Sequence, residues 1–227
     1  MIDTDFFNEP HAVVERGAPV FVQDGSVLPK KIFFHCCCAP CTEWPLYYLR
    51  VHGIEPQGYF YNPNIHPTLE WERRLGGLNE LNVKHKFKFL TAGDSEEERW
   101  RSFVKRDKAG HCRICYAVRL YQTAAKAAEL GYEGFSTSLL VSPYQNRPLI
   151  LQLGKLAAKK FNLRFYGFDF RPGYHYGQDM AKRDGLYRQK FCGCIFSLAE
   201  SDYSAKIAAE IAYPLENLPF PRPGYQH

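Results

Sequence analysis

Residues 30–41 read KKIFFHCCCAPC, and the reading of this stretch sets the reading of the whole chain. Ile32, Phe33 and Phe34 form a short apolar run behind two lysines, the pattern of a strand buried on both faces. The run ends in His35 and then in Cys36, Cys37, Cys38 and Cys41. Pro40 and the apolar positions Trp44, Leu46, Tyr47, Tyr48 and Leu49 predict a loop giving way to a helix, stopped near Gly53. A buried strand that breaks at a knot of thiols and feeds a helix is the start of an alternating α/β pattern.

The same alternation continues outward. A second strand is expected from Gln57 to Tyr61, broken by Asn62-Pro63, and then a charged helix through TLEWERRLGGLNEL that its paired glycines weaken. HKFKFLTA reads as a third strand, and the chain from Ser95 to KRDKAGH as polar and helical. A helix is expected to begin near Cys112, with Ile114, Val118, Tyr121, Ala125 and Ala128 on one face and Gly131 as its stop. GYEGFSTSLLVSPYQN reads as strand and polar loop, RPLILQLGKLAAKKF as helix, and NLRFYGFDF as strand. The segment from Asp179 to Ala212 is expected to be helical in two pieces, parted by FCGC. The fold class is therefore α/β, an open and largely parallel sheet with helices on both faces. In such sheets ligands gather beyond the carboxyl ends of the strands. The thiol knot, NPN, SPYQN and DFRPGY each follow a strand, so these loops are expected to converge there. Residues 1–30 read as an N-terminal arm, 31–212 as a single α/β catalytic domain, and 213–227 as a proline-rich tail packed on it.

All eight cysteines fall in three places: Cys36, Cys37, Cys38 and Cys41; Cys112 and Cys115; Cys192 and Cys194. MIDTDFFNEPH lacks the basic end and apolar run of a signal peptide, and no stretch approaches the roughly 20 apolar residues of a membrane span, so a cytoplasmic address is expected. Clustered thiols in a reducing compartment point to metal ligation or redox work rather than static disulfides. A structural zinc site uses four thiols and leaves four without a role. Iron–sulfur ligation with a further metal or an exchangeable dithiol uses the inventory better. Zinc and a purely redox pair stay as alternatives, because Cys112 and Cys115 are expected at a helix start, where a thiol pKa falls. Cys36 is expected to be a small buried hydrophobe, and His35, His66, His111 and His175 hydrogen-bonding surface residues. There is no GxGxxG, GxxxxGK[ST] or HExxH motif. The formal charge of +5 is compatible with a nucleic-acid partner without requiring one.

HCCCAPCTEWP at 35–45, YNPNIHPTLEWERR at 61–74, HCRICYAVRL at 111–120, FSTSLLVSPYQN at 135–146, DFRPGY at 169–174 and LYRQKFCGCIFS at 186–197 follow in that order. This series resembles the QueH-type epoxyqueuosine reductases of tRNA queuosine biosynthesis, over roughly residues 31–200. The resemblance implies a Rossmann-like domain of the adenine-nucleotide-hydrolase kind. It also implies a cobalamin-independent oxidoreductase that removes the epoxide oxygen from epoxyqueuosine at the tRNA wobble position, supplied by an external electron donor. The implied cofactors are a [4Fe–4S] cluster and an adjacent mononuclear iron. Carried onto this chain, the cluster ligands are Cys37, Cys38, Cys112 and Cys115. Cys41, Cys192 and Cys194 are then expected to serve the second metal or thiol redox work. Asp169 stands as the carboxylate for that iron, with a salt bridge to Arg171 as its alternative role, and Tyr187 or His35 as a proton source. Expected phosphate contacts are Arg73, Arg74, Lys105, Arg106, Lys108, Lys182, Arg183, Arg188 and Lys190. Trp71, Tyr116, Tyr144 and Tyr187 are candidate stacking platforms, most of them expected to prove packing residues, and Gln145 and Asn146 candidate base readers. The readings set against this one are a zinc- or iron–sulfur-containing RNA-binding module and a different thiol-dependent tRNA-modifying enzyme.

Overall fold

Five parallel strands in the order β3-β2-β1-β4-β5 carry the chain. A computed structural model describes residues 28–103 and 108–212; the expected tail, and all but the last three residues of the expected arm, lie outside them. The strands are β1 (Lys31–His35), β2 (Glu55–Phe60), β3 (Phe89–Thr91), β4 (Gly134–Thr137) and β5 (Arg164–Phe165). The helices are α1 (Ala39–Val51), α2 (Thr68–His85), α3 (Glu97–Phe103), α4 (Lys108–Glu129), α5 (Arg147–Lys160), α6 (Tyr174–Arg183), α7 (Ile195–Ala199) and α8 (Ser204–Ala212).

β1 is the centre because it is the strand that can be buried on both faces. Ile32, Phe33, Phe34 and His35 have no exposed surface, and the strand pairs β2 from Lys31↔Glu55 and β4 from Phe33↔Phe135. From β1 the chain moves one way through α1 to β2 and through α2 to β3, and the other way from β4 through α5 to β5. Right-handed crossovers then put α1 and α2 on one face and α5 on the other. α6 packs on α1, and α4 on α5. The order reverses between β1 and β4, so their carboxyl ends open the crevice in which this class of sheet holds ligands.

Three expectations need correcting. β5 stops at Phe165, so Asp169 lies past the strand. The reason is that β4 ends at Thr137 and tightens into a 3-10 turn over Ser138–Val141, while Ser136 Oγ donates to the Tyr166 carbonyl at 2.7 Å and takes over an acceptor the ladder would use. The helix expected to begin near Cys112 starts early: α4 begins at Lys108, so Cys112 is already a turn inside it. The segment after residue 179 forms three helical pieces, with Asp184–Cys194 non-helical between α6 and α7. Gly77 packs α2 against Ala39 and Tyr187, where an added Cβ would meet them at ordinary contact distance, and Gly76 faces open space.

Candidate metal centre

The first thiol knot is built where β1 hands the chain to α1. Cys38 is the residue that caps α1, Pro40 lies in its first turn, and Cys41 follows one turn on. Three contacts hold the backbone here: Asn62 Nδ2 donates to the Cys36 carbonyl at 2.9 Å, Cys37 N–H to Ser138 Oγ at 2.9 Å, and Thr42 Oγ1 to the Cys38 carbonyl at 2.8 Å. Asn62 follows β2 and Ser138 follows β4, so loops from these strand ends meet at the thiol knot. The sulfurs of Cys37, Cys38 and Cys41 all lie within 4.8 Å of one another, with Cys37 and Cys38 3.6 Å apart. Cys36 turns away into the core, donates to the Phe34 carbonyl, and burial pushes its thiol up to about 12.

Three sulfurs this close interact strongly, and their pKa values move in opposite directions. Hydrogen bonds from Cys38, Cys41 and then Ser138 hold Cys37 well below the ordinary thiol range. Burial and the Cys37 charge push Cys38 up, and Cys37 also pushes Cys41 up. A soft cation bound here would replace the shared protons as the common partner of all three.

The other thiols arrive from elsewhere. Cys115 is buried on α4, where Arg119 Nη2, one helical turn on, donates to its sulfur at 2.7 Å. Burial pushes the Cys115 thiol up to about 12, against the pull of Arg119. Cys112 is exposed. Cys192 is exposed and Cys194 half-buried, on a turn that Arg74 fastens: its guanidinium donates to the Phe191 and Cys192 carbonyls at 3.0 and 3.1 Å and to buried Glu70 at 2.8 Å. Gly193 has φ +126°, and a Cβ there would stand 3.0 Å from Arg74 Nη1. The Gly193 carbonyl accepts from His66 N–H at 2.7 Å, which joins the NPNIHP loop to the CGC turn. Gln145 Nε2 lies 3.5 Å from Cys192 Sγ, and Gln189 Nε2 3.5 Å from Cys41 Sγ.

A cavity of about 310 Å³ lies here, lined by Cys37, Cys41 and Cys192, the cationic residues Arg74, Arg119 and Lys190, and Tyr144 and Tyr174. Arg119, Ser138, Gln189 and Tyr174 were not singled out from the sequence; the i, i+4 spacing of Cys115 and Arg119 was the one signal available. The histidines His35, His66 and His111 are buried rather than on the surface. His35 bonds Thr137 Oγ1 at 2.9 Å and the Tyr61 carbonyl at 3.3 Å, and burial lowers it to about 4. Asp169 lies outside the cavity lining, where Arg171 donates to both its oxygens at 2.8 and 2.5 Å. Tyr187 donates to Glu70 at 2.5 Å. Arg74 is buried, Arg73 pairs with Glu210 and Arg183 with Asp184, so their charges are engaged within the protein. Lys105 and Arg106 lie outside the described residues. Trp71 packs on Phe60 and Tyr116 donates to Gln145, whereas Tyr144 is 82% exposed at the cavity. Asn146 caps α5.

A family model described as epoxyqueuosine reductase QueH matches residues 32–200. The chain belongs to the QueH epoxyqueuosine reductase family. Relatives under that name include one from Dehalococcoides mccartyi, 38% identical across 74% of this chain and 92% of the relative. One from Thermotoga maritima is 35% identical across 74% and 91%, and one from Streptococcus pyogenes 34% identical across 82% and 76%. The QueH match spans every cysteine of the chain. Among the described residues, no helix is long and apolar enough to cross a membrane.

Proposed function

We propose that this chain is an epoxyqueuosine reductase that acts on tRNA through iron held by its clustered thiols. The reaction breaks both bonds from carbon to the epoxide oxygen, takes two electrons and two protons, and leaves an alkene and water. An external one-electron donor delivers the electrons in sequence. The observation that carries the reading is the buried Cys37, Cys38 and Cys41 cluster beside a cavity that Cys192 also lines, in a chain the QueH model matches over residues 32–200.

The donor set fits iron–sulfur iron: Cys37, Cys38 and Cys41 form a ready thiol cluster, and Cys115 has a cationic partner that favours its thiolate. Cys37, Cys38, Cys112 and Cys115 are our ligand set for a [4Fe–4S] cluster, with Cys41, Cys192 and Cys194 beside an adjacent iron. When bound, these centres supply single electrons and a Lewis-acid position for the departing oxygen. Asp169 reaches that iron only by exchanging its Arg171 pair, which Asp169→Asn tests. Tyr174 lines the cavity, and burial raises its phenol, so its hydroxyl holds a proton for the leaving oxygen. Exposed Tyr144 offers a stacking face to an unstacked anticodon base, and Lys190 a charge to its phosphate.

The test is anaerobic turnover of epoxyqueuosine-containing tRNA with a chemical reductant, read by nucleoside mass, with iron and sulfide measured in the same sample. Loss of one oxygen is expected. Intact clusters and tight tRNA binding without that loss overturn the reading.

A further inference from the structure

A second group of ligating side chains lies away from the thiols, where α1, α2 and α6 meet. Glu43 projects from α1, His85 is the last residue of α2, and Asp184 caps the end of α6. Glu43 follows Cys41 by two positions, roughly 200° around the helix at about 100° per residue, and none of the three lines the thiol cavity. One ligand atom from each lies within 4.8 Å of the other two.

The group is short of a partner. Glu43 is 1% exposed, and neither of its oxygens has a hydrogen-bond donor. The nearest nitrogen, His85 Nε2, is 3.5 Å away from Oε1 and already serves Asp184 Oδ2 at 2.8 Å. An imidazole Nε2 carries one hydrogen and cannot satisfy both carboxylates. Arg183 Nε pairs with the outer Asp184 oxygen at 2.9 Å, and Arg50 Nη1 donates to the His85 carbonyl at 2.7 Å. Burial, with the neighbouring Asp184 charge, raises the Glu43 carboxyl, so without a cation the neutral form is favoured. A single cation at the centre meets all three ligand atoms at once. Tetrahedral ligands at about 2.1 Å stand about 3.4 Å apart; His85 Nε2 lies 3.5 Å from Glu43 Oε1 and 2.8 Å from Asp184 Oδ2, so a bound ion would part the His85–Asp184 pair slightly.

We propose that Glu43, His85 and Asp184 bind a divalent cation of the zinc or manganese class, which ties α1 to α2 and α6. One nitrogen and carboxylate oxygens suit such ions, where the thiol cavity suits softer ones. The site is a cross-brace behind the helix that carries Cys38 and Cys41, and it stands whether or not the iron reading of the thiols holds.

The test uses iron-loaded, anaerobic protein, so that the thiols are occupied, and titrates it with Mn2+ followed by electron paramagnetic resonance. One Mn2+ per chain is expected, displaced by Zn2+, with a rise in thermal midpoint. His85→Gln and Asp184→Asn are each expected to weaken binding by about 10-fold or more, while iron content stays unchanged. Wild-type protein that takes up neither Mn2+ nor Zn2+ overturns the proposal, and this arm needs no variant to fold. Equal uptake by wild type and both variants overturns it as well.

Discussion

The two sides of the thiol cavity are made in different ways. Cys37, Cys38 and Cys41 come from one short stretch, and backbone positions decide where they point: the end of β1, the cap of α1 and the hydrogen bonds from Asn62 and to Ser138. Cys115, Cys192 and Cys194 come from α4 and a turn far along the chain, and two buried arginines hold that side in place. The near side is pre-assembled by secondary structure. The far side depends on side chains, and its Cys192 stands exposed beside the cavity. The first side should therefore fail only when a sulfur is lost, and the second when a cation is lost.

The largest effect is expected from Cys38→Ser. Its sulfur is a member of the pre-assembled trio, so iron content should fall sharply and turnover should drop to background. The metal-free variant should melt close to metal-free wild type, because Ser fills nearly the same space. Retained iron and turnover in Cys38→Ser would show that the trio is not the heart of the site.

Arg74→Met comes next and tests the other side. The substitution leaves Glu70 buried with only Tyr187 to satisfy it, and breaking a buried pair from one side costs about 3–5 kcal/mol. At about 2–4 °C per kcal/mol for a chain of this size, calorimetry should find the midpoint roughly 6–20 °C lower. The Phe191 and Cys192 carbonyls lose their donor in the same step, so the CGC thiols should become more reactive to alkylation. An unmoved midpoint with unchanged alkylation would mean that the turn holds itself.

This division also explains what could be read from the sequence. KKIFFHCCCAPC disclosed a strand, a thiol knot and a helix because hydrophobic run, cap position and proline are local signals. The convergence of the thiol knot, NPN and SPYQN followed from strand ends, a rule of topology. Arg74 and Arg119 were not legible as buried site residues, since each looks like a surface charge until the partner across the cavity is known: Glu70 with the distant Phe191 carbonyl, and the Cys115 sulfur. Glu43 was missed for the same reason, its neighbours coming from the ends of two other helices. NLRFYGFDF has the composition of a strand, but β4 turns away first and leaves most of it without a ladder.

Arg119→Met is expected to act on metal affinity more than on the fold. Its guanidinium is the charge beside Cys115, and the removal of such outer partners costs about 10–100-fold in metal affinity. Competition with a chelator reads this directly. Chelator resistance equal to wild type would remove Arg119 from the account of the far side.

The smallest effect belongs to Asn146→Ala. The Asn146 side chain accepts from Leu149 N–H at 3.1 Å and caps α5, while the residue before it, Gln145, reaches toward Cys192. Loss of such a cap costs about 1 kcal/mol, so the midpoint should fall by roughly 2–4 °C. Iron content should hold, because Tyr116 still fixes Gln145 through a 2.6 Å hydrogen bond to its carbonyl oxygen. If iron is lost as well, the path from cap to Gln145 to Cys192 carries more of the far side than the arginines do. The contrast between a backbone-built and an arginine-held side would then give way to a single connected ring.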